Sequence, residues 1–76
     1  MTGDELARAL RALTSRRPFR PFFLEFNSGD RLRVSHPESV DRQGELFVHR
    51  GADRGNRIFT AAGVCQLIDP PPGSAR

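Results

Sequence analysis

The 76-residue sequence predicts a mostly β domain: an N-terminal α-helix followed by a strongly bent, five-stranded antiparallel small barrel. Three observations predict it. Phe22, Leu24 and Phe26 alternate on one face of an extended segment, and Leu32 and Val34 alternate on the matching face of the next. Between them, Asn27, Ser28, Gly29 and Asp30 supply the backbone freedom and local hydrogen bonding of a tight hairpin. Upstream, Thr2 and Glu5 have the spacing of a capping box and stand directly before an apolar stripe. Downstream, the chain breaks into short apolar runs punctuated by Gly, Pro and polar turns, with no further helical period.

The first element is a helix opening at Thr2-Gly3-Asp4-Glu5. Leu6, Leu10 and Leu13 place one apolar stripe along about three turns, with Asp4, Arg8 and Arg11 opposite and Asp4 spaced to pair with Arg8. Pro18 prevents the helix from running past Arg17, and Pro21 repeats the break. Pro18 and Pro21 then set an extended lead-in that carries Phe19 and Phe22 under the helix and leaves Arg17 and Arg20 in solvent. The hairpin provides two strands, the second interrupted at His36-Pro37-Glu38-Ser39, because proline has no amide for a ladder. Val40-Asp41 leads into a turn at Gln43-Gly44. Leu46 to His49 reads as the third strand, Ile58 to Thr60 as the fourth and Val64 to Ile68 as the fifth, with a loop over residues 51–56 and a short link at Ala61-Ala62-Gly63. Leu24, Phe26, Leu32, Val48, Ile58 and Ile68 are the expected core. Residues 1–69 are read as one domain and residues 70–76, rich in proline, as a disordered tail.

A chain of this size is near the lower limit for burying a self-sufficient core. With Cys65 as its only cysteine and no paired Cys/His spacing, it has neither an internal disulfide nor a structural zinc motif. Assembly with a partner, most simply a second copy, is the expected source of the missing stability. Residues 1–20 lack the continuous apolar core of a signal peptide and the chain has no run long enough to cross a bilayer, so a cytoplasmic location is expected. All twelve basic residues are arginine, and the net charge of +3 resides in the N-terminal twenty, where Arg8, Arg11, Arg16, Arg17 and Arg20 face only Asp4 and Glu5.

The element order, one helix and five short strands, is similar to that of Sm-like proteins, a plan shared in outline with SH3-like barrels. Leu24 to Leu32 around Gly29 resembles the first half of the Sm1 motif, Val40-Asp41 its apolar-Asp step, and Ile58 to Ile68 the Sm2 strand pair. The resemblance implies the barrel, edge-to-edge assembly through the fourth and fifth strands, and RNA as a ligand class. Phe59, Thr60 and Ala61 stand where the bacterial Sm-like RNA chaperone has an aromatic-Lys-His run, so only the aromatic is retained; Ala62-Gly63 stands where other Sm proteins have Arg-Gly, and Val34 near a second motif glycine. A second resemblance, through Arg17-Pro18-Phe19-Arg20-Pro21-Phe22, Gly29-Asp30-Arg31 and His36-Pro37-Glu38, is to a group of small bacterial proteins, notably from planctomycetes, and implies no activity.

Catalytic chemistry finds no footing in the pattern. His36 and His49 lack a third ligand at recognisable spacing, Cys65 lies in an apolar run, and no phosphate-binding glycine loop occurs. Asp41, Glu45 and Asp53 read as loop solubilisers. The expectation is a non-enzymatic binding or assembly module, homo-oligomeric, with no cofactor, metal, membrane or small-molecule substrate. The alternative is an Sm-like RNA-binding protein using Arg8, Arg11, Arg16, Arg17 and Arg20 as phosphate contacts and Phe59 as a stacking platform.

Overall fold

A computed structural model describes residues 1–51 and 55–71. The polypeptide forms one helix, α1 (Gly3–Thr14), and six strands: β1 (Phe22–Phe26), β2 (Arg31–Val34), β3 (Val40–Gln43), β4 (Leu46–Arg50), β5 (Asn56–Thr60) and β6 (Val64–Ile68). A single 3-10 turn, Ala61–Gly63, joins β5 to β6. The strands make two antiparallel three-stranded sheets, ordered β2-β1-β6 and β3-β4-β5. The expected mostly β fold with an N-terminal helix is therefore present, as two small sheets rather than a five-stranded set. The sixth strand is β3, whose residues Val-Asp-Arg-Gln carry little strand signal and pair with β4 from Val40↔His49 to Gln43↔Leu46.

The capping box forms as its spacing demands. The Thr2 amide donates to Glu5 Oε1 at 2.7 Å, and the Glu5 amide donates to Thr2 Oγ1 at 3.1 Å. Leu6 and Leu10 are buried and Leu13 packs against them, so the apolar stripe faces inward as its period requires. The helix stops at Thr14, where the Ser15 amide turns back onto the Arg11 carbonyl. Asp4 pairs not with Arg8 but with Arg42 of β3, at 3.0 Å.

β1 is the central strand of its sheet. Phe22, Leu24 and Phe26 are buried in alternation, and Val34 joins them opposite Phe22. The hairpin closes over four residues, with Gly29 at φ 93°, a conformation that a Cβ would strain. The Phe26 amide donates to the Asp30 carbonyl at 2.9 Å to complete it. On the other side of β1, the register with β6 slips between Glu25 and Phe26: Glu25 opposes Gln66 while Phe26 opposes Val64. The extra residue is Cys65, and a bulge of this kind rotates the strand's faces. Cys65 and Gln66 are both exposed as a result, and Leu67 rather than Ile68 packs on the core.

The expected core is corrected in three strands. Leu24 and Phe26 are buried and Leu32 packs partly, but Val48 and Ile68 are only half-buried and Ile58 is 62% exposed. The inward residues of β4 and β5 are Phe47 and Phe59, cross-strand partners one position out of phase with the expectation. Their rings stack at 5.9 Å, and Phe26 meets Phe59 edge-on at 5.2 Å. Aromatic rings remove more area from water than Val or Ile does, which decides the phase when both faces of a strand are apolar. Of the predicted tail, residues 72–76 lie outside the described residues, as do residues 52–54 of the loop after β4, Asp53 among them. Among the described residues, no helix is long and apolar enough to cross a membrane.

Candidate functional site

The five N-terminal arginines do not form one surface. Arg16 and Arg20 converge on Asp69, just beyond β6, at 2.7 and 3.6 Å. Arg16 also donates to the Arg20 carbonyl at 3.1 Å, closing the lead-in segment against the end of the last strand. Arg17 folds back on the Thr14 and Arg16 carbonyls. Arg16 and Arg20 thus fasten the lead-in segment to the end of β6, and Arg20 is half-buried there rather than free in solvent. Arg8 and Arg11 lie on the exposed side of α1, where Arg8 acts on Glu5 through charge alone and neither makes a side-chain hydrogen bond or ion pair among the described residues.

Arg8 and Arg11 border a groove between α1 and β3. A cavity of about 310 Å³ is lined by Ala7, Leu10, Arg11, Val40, Arg42 and Phe47, and a neighbouring hollow shares Ala7, Arg11 and Arg42 and adds Asp4 and Arg8. Its floor is apolar, and its rim carries Arg8, Arg11 and Arg42 together with Asp4 and Asp41. Arg42 is the fixed member of that rim: it donates to the Gly44 carbonyl at 2.8 Å, pairs with Asp4, and lies 5.6 Å from the Phe47 ring centre. It also fills the space beside Gly3, where a Cβ would stand 2.9 Å from its guanidinium. Sequence reasoning missed Arg42, because its main partner lies 38 residues away. The local signal available was Glu45, three residues on, with which it makes a longer contact of 3.9 Å.

Phe59 is half-buried, with its ring occupied by Phe47 and Phe26. Above the hairpin, Arg57 sits 4.3 Å from the Phe26 ring centre and reaches Asp30 at 3.8 Å. The open apolar surface is elsewhere. Among the described residues, β5 is hydrogen-bonded on one side only, by β4, and it presents Ile58 beside Val48 with Leu46, 45% exposed, on the same face. Among the described residues, β6 is likewise paired on one side only. Unpaired strand edges carry rows of free amides and carbonyls, and an exposed apolar residue on such an edge favours pairing with another strand.

Besides Glu5, whose carboxyl the Thr2 hydrogen bonds hold below its ordinary range, two groups have shifted pKa values. A hydrogen bond from Gln66 at 2.7 Å, and then the Arg31 contact at 3.1 Å, hold the Glu25 carboxyl below its ordinary range. Burial, and then the charge of Arg57, push His49 down, against the opposing effect of its hydrogen bond to the Arg33 backbone. No group of three or more His, Cys, Asp or Glu side chains among the described residues is placed to hold a metal ion. No protein-family model matches the chain, and no curated protein or solved structure matches it.

Proposed function

We propose that this protein is a non-enzymatic assembly module that associates with copies of itself through the free edges of β5 and β6, on an Sm-like or SH3-like barrel plan. The observation that carries the reading is the β5 edge: a half-paired strand whose central residue, Ile58, is 62% exposed with Leu46 and Val48 beside it. A small domain without a disulfide or metal gains most from burying such an edge. The helix followed by short strands, with a three-residue link before the last, agrees with the Sm-like plan. Light scattering coupled to size exclusion tests the reading. The expected mass is a multiple of 8.5 kDa, reduced by Ile58→Glu; a monodisperse monomer at high micromolar concentration contradicts it.

RNA binding is the second reading, favoured by one observation, the exposed Arg8 and Arg11 beside Arg42 on the α1 groove. Phe59 adds little to it, because a base would have to displace Phe47 or Phe26 to stack there. Absorbance at 260 nm of protein purified without nuclease separates the two readings in the same experiment.

A further inference from the structure

His36 and His49, separated in sequence, line one pocket. It is a shallow hollow of about 160 Å³ bounded by β2, the 35–39 link and the end of β4, and its walls include Arg33, Ser35, His36, Ser39, His49 and Arg50. We propose that this pocket binds a phosphate group, held by the Arg33 guanidinium and the imidazoles of His36 and His49. The site is independent of the free strand edges and of the α1 groove.

The backbone of one wall is held by its own hydrogen bonds. Ser39 is buried; its hydroxyl donates to the His36 carbonyl at 2.8 Å, and its own carbonyl accepts from the Arg50 amide at 2.8 Å. The link carrying His36 is therefore bound to β4. His49, half-buried at the end of β4, closes the wall beside Arg33. Neither the Arg33 guanidinium nor the His36 imidazole has a partner among the described residues. Arg50 is already paired with Asp41, so it adds background charge rather than a free donor.

Charge and size select the ligand class. Two histidines suit a transition metal, but no carboxylate or thiolate is among the lining residues, and the flanking groups are guanidiniums, which repel a cation and bind oxyanions. The volume equals roughly five waters at ~30 Å³ each, enough for a phosphate and too small to enclose a nucleotide.

The test is NMR titration of the full chain at constant ionic strength, following backbone amides and histidine ring signals. Inorganic phosphate, glycerol 3-phosphate, zinc ion and a short single-stranded oligonucleotide are added separately. The expected result is saturable movement of the Arg33, His36, Ser39 and His49 signals with phosphate, with the dissociation constant raised about tenfold or more in Arg33→Ala and His36→Ala and unchanged in Gln43→Ala, an exposed position outside the pocket. The spectra report at once whether each variant is folded, and Arg33→Lys supplies a milder second change. Tighter binding of glycerol 3-phosphate than of inorganic phosphate assigns the site to phosphate esters, and the reverse order to the free ion. An adventitious response, linear with concentration and equal in the variants, overturns the proposal. So does saturation of the pocket by zinc or by the oligonucleotide alone.

Discussion

Phe47 and Ile58 sit within one residue of being cross-strand neighbours, yet one is 1% exposed and the other 62%. Their substitution by alanine should therefore part company. Phe47→Ala removes a ring from between Phe59 and the groove floor and should cost about 3–5 kcal/mol, and Leu24→Ala about 2–5 kcal/mol. Ile58→Ala should change the unfolding free energy of dissociated protein by less than about 0.5 kcal/mol, as exposed substitutions do. Urea unfolding at low protein concentration measures all three, and a loss of several kcal/mol for Ile58→Ala would place that side chain inside the fold. His49 gives a second expectation. Its pKa in the folded protein lies below the ordinary 6.5, so the unfolded chain binds more protons there and stability rises with pH. The contribution is complete above 6.5 and is lost as pH falls through the depressed folded value. The thermal midpoint should decline as the medium is acidified from neutrality, with a shallower slope in His49→Asn; equal slopes would show that this imidazole is not responsible.

The elements differ in how much of themselves the sequence displays. α1 and the β1–β2 hairpin are readable because their determinants are local: a cap three residues from its partner, leucines at helical spacing, and alternation around a four-residue turn. Thr2→Ala should cost about 1 kcal/mol, read as a lower thermal midpoint with reduced helical ellipticity, and an unchanged midpoint would mean that α1 is held by its packing alone. β3 escapes sequence reading because nothing in Val-Asp-Arg-Gln marks a strand; its order comes from pairing with β4 and from Arg42 reaching back to Asp4. In β4 and β5, Leu46-Phe47-Val48 and Ile58-Phe59 put apolar side chains on both faces, so period two alone does not choose the inner one. The β6 bulge at Cys65 reverses the expected phase without any Gly or Pro to announce it. The arginines follow the same logic. Their number and N-terminal bias are visible in sequence, but the capture of Arg16 by Asp69 spans 53 residues and divides the basic set into fastened and free members.

At the scale of the whole molecule, the net charge of +3 and the free strand edges make different demands on a partner, and two sets of substitutions tell them apart. Ile58→Glu places a charge on the β5 edge, where an incoming strand would bury it, so the assembled mass should fall toward the monomer with the far-ultraviolet spectrum intact. Arg8→Ala, Arg11→Ala and Arg17→Ala together remove charge from the helix side and leave the Asp69 clasp untouched, so assembly should persist. If the helix side binds RNA, the triple variant should weaken oligonucleotide affinity and flatten its dependence on salt, because fewer counterions are released per complex. Phe59→Ala does not isolate stacking in this fold: the ring belongs to the Phe26 and Phe47 cluster, so the variant should lose stability and binding together. The assembly reading expects no measurable oligonucleotide binding at physiological salt in native protein or in either variant. Micromolar binding of a uridine-rich or adenosine-rich strand, lost in the triple variant and kept in Ile58→Glu, would transfer the function from the strand edges to the helix groove.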